Sequence, residues 1–125
     1  MLRLLMIVSG GFEAVFGLSA LVVPGVLIGA LGTEADTADL FLARVFGAAT
    51  LGLGVAALLA RDQTETSGGL AAAYGLTLYN VLAACLILWT ATELGGVALW
   101  GTACVHAAIG ALLVLALLRR RQSLS

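Results

Sequence analysis

Four apolar runs of membrane-spanning length occupy most of this chain, and they leave few folds open to it. The runs cover Leu4–Ala30, Leu40–Ala60, Leu70–Thr92 and Val97–Leu118. About 20 apolar residues in a helix cross a hydrocarbon core roughly 30 Å thick, and backbone in lipid must satisfy its own hydrogen bonds. Short connectors make successive helices antiparallel. We therefore predict an all-α fold, a single integral membrane domain (1–125) built as an up-down-up-down four-transmembrane-helix bundle.

Composition supports the membrane assignment and excludes other classes. Only 10% of the residues are charged and 62% are hydrophobic, whereas soluble domains carry about 25% charged residues. A net charge of −1 is not the basic charge that is typical of nucleic-acid-binding proteins. The two cysteines, Cys85 and Cys104, are isolated in apolar runs, and a single histidine is present. Neither a disulfide framework nor a metal site is expected, and no cofactor is predicted.

Charge asymmetry predicts the orientation of the bundle. Arg3, Arg61 and the run Arg119–Arg121 share one side of a four-helix topology. The connectors on the opposite side carry only acidic charges, namely Glu34, Asp36, Asp39 and Glu93. Because arginine and lysine are enriched in cytoplasmic loops, we expect a multi-pass protein of the cell's inner (plasma) membrane with both termini in the cytoplasm.

The first run contains a helix break. Pro24 and Gly25 stand near its end. Proline lacks the N–H of an interior helical residue, so it kinks or ends a helix. We expect the first helix to bend there and to continue as a short interfacial helix to Leu31.

Each predicted helix contributes one strongly polar side chain. Glu13, Asn80 and His106 lie near the midplane, at depths of roughly 13–15 Å from 1.5 Å rise per residue, and Arg44 lies nearer the acidic end. Their neighbours at helical spacing are small residues, which mark faces where helices approach closely. Intramembrane ionisable groups are functional candidates by default. We predict a polar midplane pocket whose ligand-binding residues are Glu13, Arg44, Asn80, His106, Thr77 and Tyr79.

The residue types of this cluster suit acid/base chemistry. Glu13 and His106 are the candidate catalytic residues, since histidine changes charge between about pH 5 and 8 and can exchange protons with an acid. Asn80 supplies both a donor and an acceptor. A purely structural alternative stays open, in which Glu13 and Arg44 form an ion pair that fixes helix register.

Several short motifs resemble those of small DoxX-like membrane proteins, many of which have no known function. The likeness is carried by Asn80, by His106, by Phe16-Gly17-Leu18 with Val23-Pro24-Gly25, and by the second-helix segment Leu42-Ala43-Arg44-Val45-Phe46-Gly47-Ala48-Ala49-Thr50-Leu51-Gly52-Leu53-Gly54. It covers most of the chain and implies an antiparallel four-helix bundle. Some members are linked to quinone-dependent sulfur oxidation, but no quinone or haem motif is present here to carry over.

The position of Glu13 in the first helix also resembles small multidrug transporters, which are of similar length and have four helices. The lysine late in helix one and the aromatic set on helices two and three are missing. Arg44 and His106 are moreover unexpected in a site that holds cations.

The leading functional prediction is a binding or accessory subunit whose midplane pocket takes a lipophilic small molecule. Two alternatives stay open. One is an intramembrane acid/base enzyme, such as an isomerase, cyclase or hydrolase of a lipid-like substrate. The other is a proton-coupled small exporter that works as a homodimer. The expected partners are therefore membrane lipid, a lipophilic molecule and, for the exporter, a second copy of the chain.

Overall fold

The computed structural model describes residues 1–122, in which every regular element is a helix and no strand occurs. Its elements are α1 (Leu2–Val22), α2 (Pro24–Ala30), α3 (Thr37–Ala60), α4 (Ser67–Leu94) and α5 (Val97–Gln122). The four long helices are each long and apolar enough to cross a membrane. The predicted all-α class and four-helix bundle are confirmed, and the chain has the architecture of a multi-pass membrane protein.

The proline break separates α1 from α2. Val23 leaves the helical region with φ −130° and ψ 52°, and Pro24 begins α2 at its first turn. Proline suits that position because the first N–H groups of a helix have no intrahelical acceptor. The expected short helix is present and ends at Ala30.

Polar caps and glycines define the other helix ends. Asp36 and Asp39 form a reciprocal capping box at the start of α3, with N–H to oxygen distances of 2.8 and 3.1 Å. The Thr66 hydroxyl accepts from the Gly69 N–H at the start of α4. Gly95 and Gly96 have φ of 73° and 92°, a region that glycine enters without steric cost. The turn from α4 into α5 is therefore only two residues long.

Four helix ends meet at what we call the arginine end. Arg3 of α1 donates to Asp62, which follows α3. Arg120 of α5 donates to Glu65, in the α3–α4 connector, at 2.8 Å. These contacts bring together the start of α1, the end of α3, the start of α4 and the end of α5, as the up-down-up-down topology requires.

The bundle consists of two helix pairs. In the first, α1 and α3 run antiparallel with their backbones in contact at two glycine pairs, Gly10 with Gly54 and Gly17 with Gly47. A Cβ on Gly17 would lie 2.4 Å from the Leu51 nitrogen. In the second pair α4 packs on α5, and Gly110 of α5 lies at their contact, where an added Cβ would meet the Val81 side chain at 3.2 Å.

The two pairs meet along a boundary that we call the inter-pair seam, where α1 faces α5 and α4, and α3 faces α4. Unlike a soluble protein, the bundle has an apolar outer surface and strongly polar side chains at its centre. Leu59 is 72% exposed on the outer surface, while Glu13 and Asn80 are 0% exposed at the centre. Between these polar groups and the arginine end lies an apolar layer formed by Met6, Leu76 and Leu113.

Candidate functional site

Three of the predicted midplane residues meet at the inter-pair seam. His106 Nδ1 lies 3.0 Å from Asn80 Oδ1 and 3.8 Å from Glu13 Oε1. All three side chains are buried, with His106 the most exposed at 4%. Since they come from α5, α4 and α1, the prediction that they share one level of the bundle is confirmed. We call them the midplane cluster.

Asn80 fixes the orientation of the histidine ring. Its Nδ2 donates to the Leu76 carbonyl at 2.9 Å and to Ser9 Oγ at 3.1 Å. Because a backbone carbonyl can only accept, the amide nitrogen must face Leu76, and Oδ1 must face His106. His106 Nδ1 is then the donor to Oδ1. In the neutral ring, Nε2 is left as the nitrogen that can accept a proton.

The Glu13 carboxyl group is enclosed without a hydrogen bond. Neither of its oxygens has a hydrogen-bond partner within residues 1–122, and both are inaccessible to solvent. His106 is 3.8 Å away, and the Tyr79 hydroxyl lies close to both Glu13 and Thr50. An ionised carboxylate without compensating partners costs several kcal/mol in such surroundings. The site can therefore be satisfied by a proton, by a closer approach of the Tyr79 hydroxyl, or by a donor supplied by another molecule.

Aromatic rings flank the cluster on both sides of the seam. Phe12 of α1 meets the His106 ring edge to face, with centroids 5.7 Å apart, and Tyr79 of α4 meets it at 5.8 Å. Phe46 of α3 packs on Tyr79 at 6.4 Å. Phe12 and Phe46 are 37% and 45% exposed on the outer surface. Each ring therefore stands between the cluster and the space beside the bundle.

Arg44 does not join the cluster, so its predicted place in the pocket is wrong, and so is the alternative in which Glu13 and Arg44 form an ion pair. The Arg44 side chain is exposed and forms no ion pair with Glu13. Successive helical residues are turned by about 100°. The buried stripe of α3 passes through Ala43, which is half-buried, one position before Arg44. It continues at heptad-like spacing through Gly47, Thr50, Gly54 and Ala57.

The structure places Tyr79 in the midplane cluster and Thr77 outside it. Tyr79 belongs to the cluster through its ring contact with His106. Thr77 is buried, but its hydroxyl donates to the carbonyl of Ala73 in its own helix, at 2.7 Å. Its side chain lines a separate groove near Tyr74 and Arg121. The structure therefore places Thr77 one turn closer to the arginine end than the predicted pocket.

Residues that were not predicted to bind ligand complete the site. Ser9 accepts the cross-helix hydrogen bond from Asn80, and its position four residues before Glu13 was a usable signal, because such residues share a helix face. Nothing in the sequence marked Phe12 or Phe46 as a site residue, since phenylalanine is common in apolar helices. No three metal-ligating side chains come together among the described residues.

Comparisons of the chain with protein-family models, curated proteins and solved structures find no match. The resemblance to DoxX-like proteins therefore stays a prediction.

Proposed function

We propose that this protein binds a lipophilic small molecule at the midplane cluster, as a binding or accessory subunit in the plasma (inner) membrane. The observation that carries the proposal is the Glu13 carboxyl group, which is 0% exposed and has two oxygens without hydrogen bonds. A buried polar group left unsatisfied costs about 1–3 kcal/mol, and more when charged. A ligand that donates a hydrogen bond to Glu13 recovers that free energy.

The surroundings of Glu13 define the ligand further. For an ionised Glu13 the ligand's polar group is a donor, a hydroxyl or an ammonium, because an additional acceptor would repel the carboxylate. Its body is apolar, because Phe12, Phe46 and Tyr79 surround the approach. Aromatic faces also attract a cation. The ligand enters through the inter-pair seam, since the α1/α3 pair is closed by backbone contact.

The charges of the two ends support cytoplasmic termini. The arginine end carries Arg3, Arg61 and Arg119–Arg121 against Asp62 and Glu65, which is 5 − 2 = +3. The opposite end carries four carboxylates, Glu34, Asp36, Asp39 and Glu93. The positive-inside rule assigns the arginine end to the cytoplasm.

The 3.8 Å separation of Glu13 Oε1 and His106 Nδ1 favours a second candidate, an intramembrane acid/base enzyme. One group would take a proton from a lipid-like substrate while the other returns one, so that an isomerisation or cyclisation conserves atoms. The exporter alternative has less support, because the side chains of Met6, Leu76 and Leu113, between the cluster and the arginine end, are apolar and fully buried.

The binding proposal is tested by asking which polar headgroup the site prefers. Thermal unfolding of the purified protein in detergent is measured with dodecylamine, dodecanol and dodecanoic acid, which share one chain length. A ligand that binds only the folded state raises the midpoint. We expect the amine and the alcohol to stabilise the protein and the acid to have no effect.

Glu13→Gln should abolish the preference for the amine, whereas Glu93→Gln, the same change at an exposed position, should retain it. Equal stabilisation by all three amphiphiles, or an unchanged preference in Glu13→Gln, contradicts the binding proposal. The enzyme candidate gains support only if the protein converts a component of a lipid extract and both Glu13→Gln and His106→Gln stop that conversion.

A further inference from the structure

A groove separate from the midplane cluster runs between α4 and α5 at the arginine end. It has a volume of about 180 Å³ and is lined by Tyr74, Thr77, Val114, Leu117, Leu118 and Arg121. Along α5 it extends from Arg121 to Val114, seven residues or about 10 Å. The groove therefore starts at the basic end of the helices and continues down their apolar flank.

The basic end of the groove holds two ordered hydrogen-bonding groups. Arg121 Nη2 donates to the Tyr74 hydroxyl oxygen at 3.0 Å, and its guanidinium carbon lies 5.9 Å from the Tyr74 ring centroid. Guanidinium has five N–H donors in a planar fork that matches phosphate. Tyr74 receives one of them and keeps its own hydroxyl hydrogen. The pair therefore presents several donors to an anion at the mouth of the groove.

Arg121 differs from Arg3 and Arg120 in its charge balance. Arg3 is paired with Asp62, and Arg120 with Glu65. Within residues 1–122 no carboxylate pairs with Arg121, whose polar partner is the uncharged Tyr74. An anion bound at Arg121 therefore meets a positive charge that no described acidic side chain neutralises.

We propose that this groove binds one phospholipid with an anionic headgroup. Its phosphate sits on Arg121 and Tyr74, and the start of one acyl chain lies along Val114 and Leu118. Charge-assisted hydrogen bonds to phosphate are about twice as strong as neutral ones, and basic residues beside a membrane helix attract anionic lipid. The apolar lining explains why the occupant is a lipid, because a free phosphate would leave the groove unfilled.

The test is native mass spectrometry of the full chain in detergent. The protein is titrated with phosphatidylglycerol and with phosphatidylcholine of the same acyl chains. We expect phosphatidylglycerol to bind about tenfold more tightly, and Arg121→Gln to remove most of that difference. Arg119→Gln removes the same charge from the same helix outside the groove, so it should change the ratio less than threefold.

A second pair of variants tests the acyl-chain part of the groove. Val114→Phe fills it and should weaken binding of both lipids, while Val105→Phe, an equally exposed change elsewhere on α5, should not. Ten millimolar inorganic phosphate should not displace the lipid. The proposal is overturned if Arg119→Gln and Arg121→Gln have equal effects, if the two lipids bind alike, or if phosphate competes. It is also overturned if Val114→Phe binds lipid as the unmodified chain does.

Discussion

The α1/α3 interface and the inter-pair seam both hold helices together in a membrane, but they do so through different interactions. Apolar side chains gain little from leaving lipid for each other, so helices in a membrane associate through close packing or through hydrogen bonds. The α1/α3 interface uses packing, with Gly10, Gly17, Gly47 and Gly54 bringing the two backbones together. The seam uses polar side chains, with Asn80 joining Ser9 of α1 to His106 of α5.

This difference bears on where the proposed ligand binds. Backbone contact at glycines leaves no space for another molecule, so the α1/α3 pair acts as a fixed unit. The seam depends on a few hydrogen bonds, and it encloses a carboxyl group that has none. Contacts that can be exchanged for contacts with a ligand are therefore concentrated at the seam.

The largest effect is expected from Gly17→Val. A Cβ at this position would lie 2.4 Å from the Leu51 nitrogen and 2.6 Å from the Gly47 oxygen. Backbone atoms cannot move aside as a flexible side chain can, so the helices must separate. We expect a loss of at least about 3 kcal/mol, at the upper end for overpacking, measured by unfolding in detergent.

Gly11→Ala is the matched control for that variant. An added Cβ on Gly11, which is in the same helix, meets no atom within 4 Å. Alanine is the better helix former, so the change should be neutral or slightly stabilising. If Gly17→Val and Gly11→Ala had similar stabilities, the α1/α3 pair would not be held by close backbone approach.

The second effect concerns the hydrogen bonds of the seam. Asn80→Leu removes the donor to Ser9 and the acceptor for His106. Interhelical hydrogen bonds in membranes contribute about 0.6 kcal/mol on average and at most about 1.7. We expect a loss of about 1–2 kcal/mol, smaller than for Gly17→Val.

Two comparisons sharpen that result. Thr77→Val removes a hydroxyl that bonds only to its own helix, so it should cost less than about 0.5 kcal/mol. A double-mutant cycle of Ser9→Ala with Asn80→Ala should give a coupling free energy of about 0.5–1.5 kcal/mol. Strict additivity would show that Ser9 and Asn80 do not hold the seam together.

Much of the fold could be predicted because its signals are local. The lengths of the apolar runs predict four helices, and Pro24 predicts the division of α1 from α2. The depth of Glu13, Asn80 and His106 also followed from the sequence, since rise per residue is fixed by helix geometry. Their small neighbours correctly predicted that these side chains face the bundle.

Other features depend on rotation and partner choice, which depth does not determine. Arg44 lies about 100° from the buried stripe of α3, so it faces outward. Which helices form pairs depends on the match of Gly10 and Gly17 with Gly54 and Gly47, a relation between two distant segments. Thr77 is buried as predicted, but the groove that it lines also contains Arg121 and does not include Glu13.

A smaller, pH-dependent effect is expected at the arginine end of the α1/α3 pair. The hydrogen bond from Arg3 holds the pKa of Asp62 below its ordinary value of 3.8. The unfolded chain therefore takes up this proton at a higher pH than the folded protein does. The stabilisation is complete well above pH 3.8 and is lost as the pH falls through the folded-state pKa.

Asp62→Asn isolates that contribution from the other carboxylates. The difference in unfolding midpoint between the unmodified chain and Asp62→Asn should be small at pH 7, because both side chains of the ion pair are exposed. It should shrink further as the pH falls below about 4. A difference as large as that of Gly17→Val would mean that ionic contacts, and not glycine packing, hold α1 to α3.

The smallest effect is expected at Arg44, which belongs to neither the glycine interface nor the polar cluster. Its side chain is exposed on α3, at a depth of about 10 Å from the helix start at Thr37. A long basic side chain at that depth can extend to the membrane surface. Arg44→Met should therefore change the free energy of unfolding by less than about 0.5 kcal/mol, as surface substitutions do. Glu13→Gln combined with Arg44→Met should be additive within about 0.5 kcal/mol. A larger coupling would show that Arg44 interacts with Glu13, and it would remove the unsatisfied carboxyl group on which the proposed binding site rests.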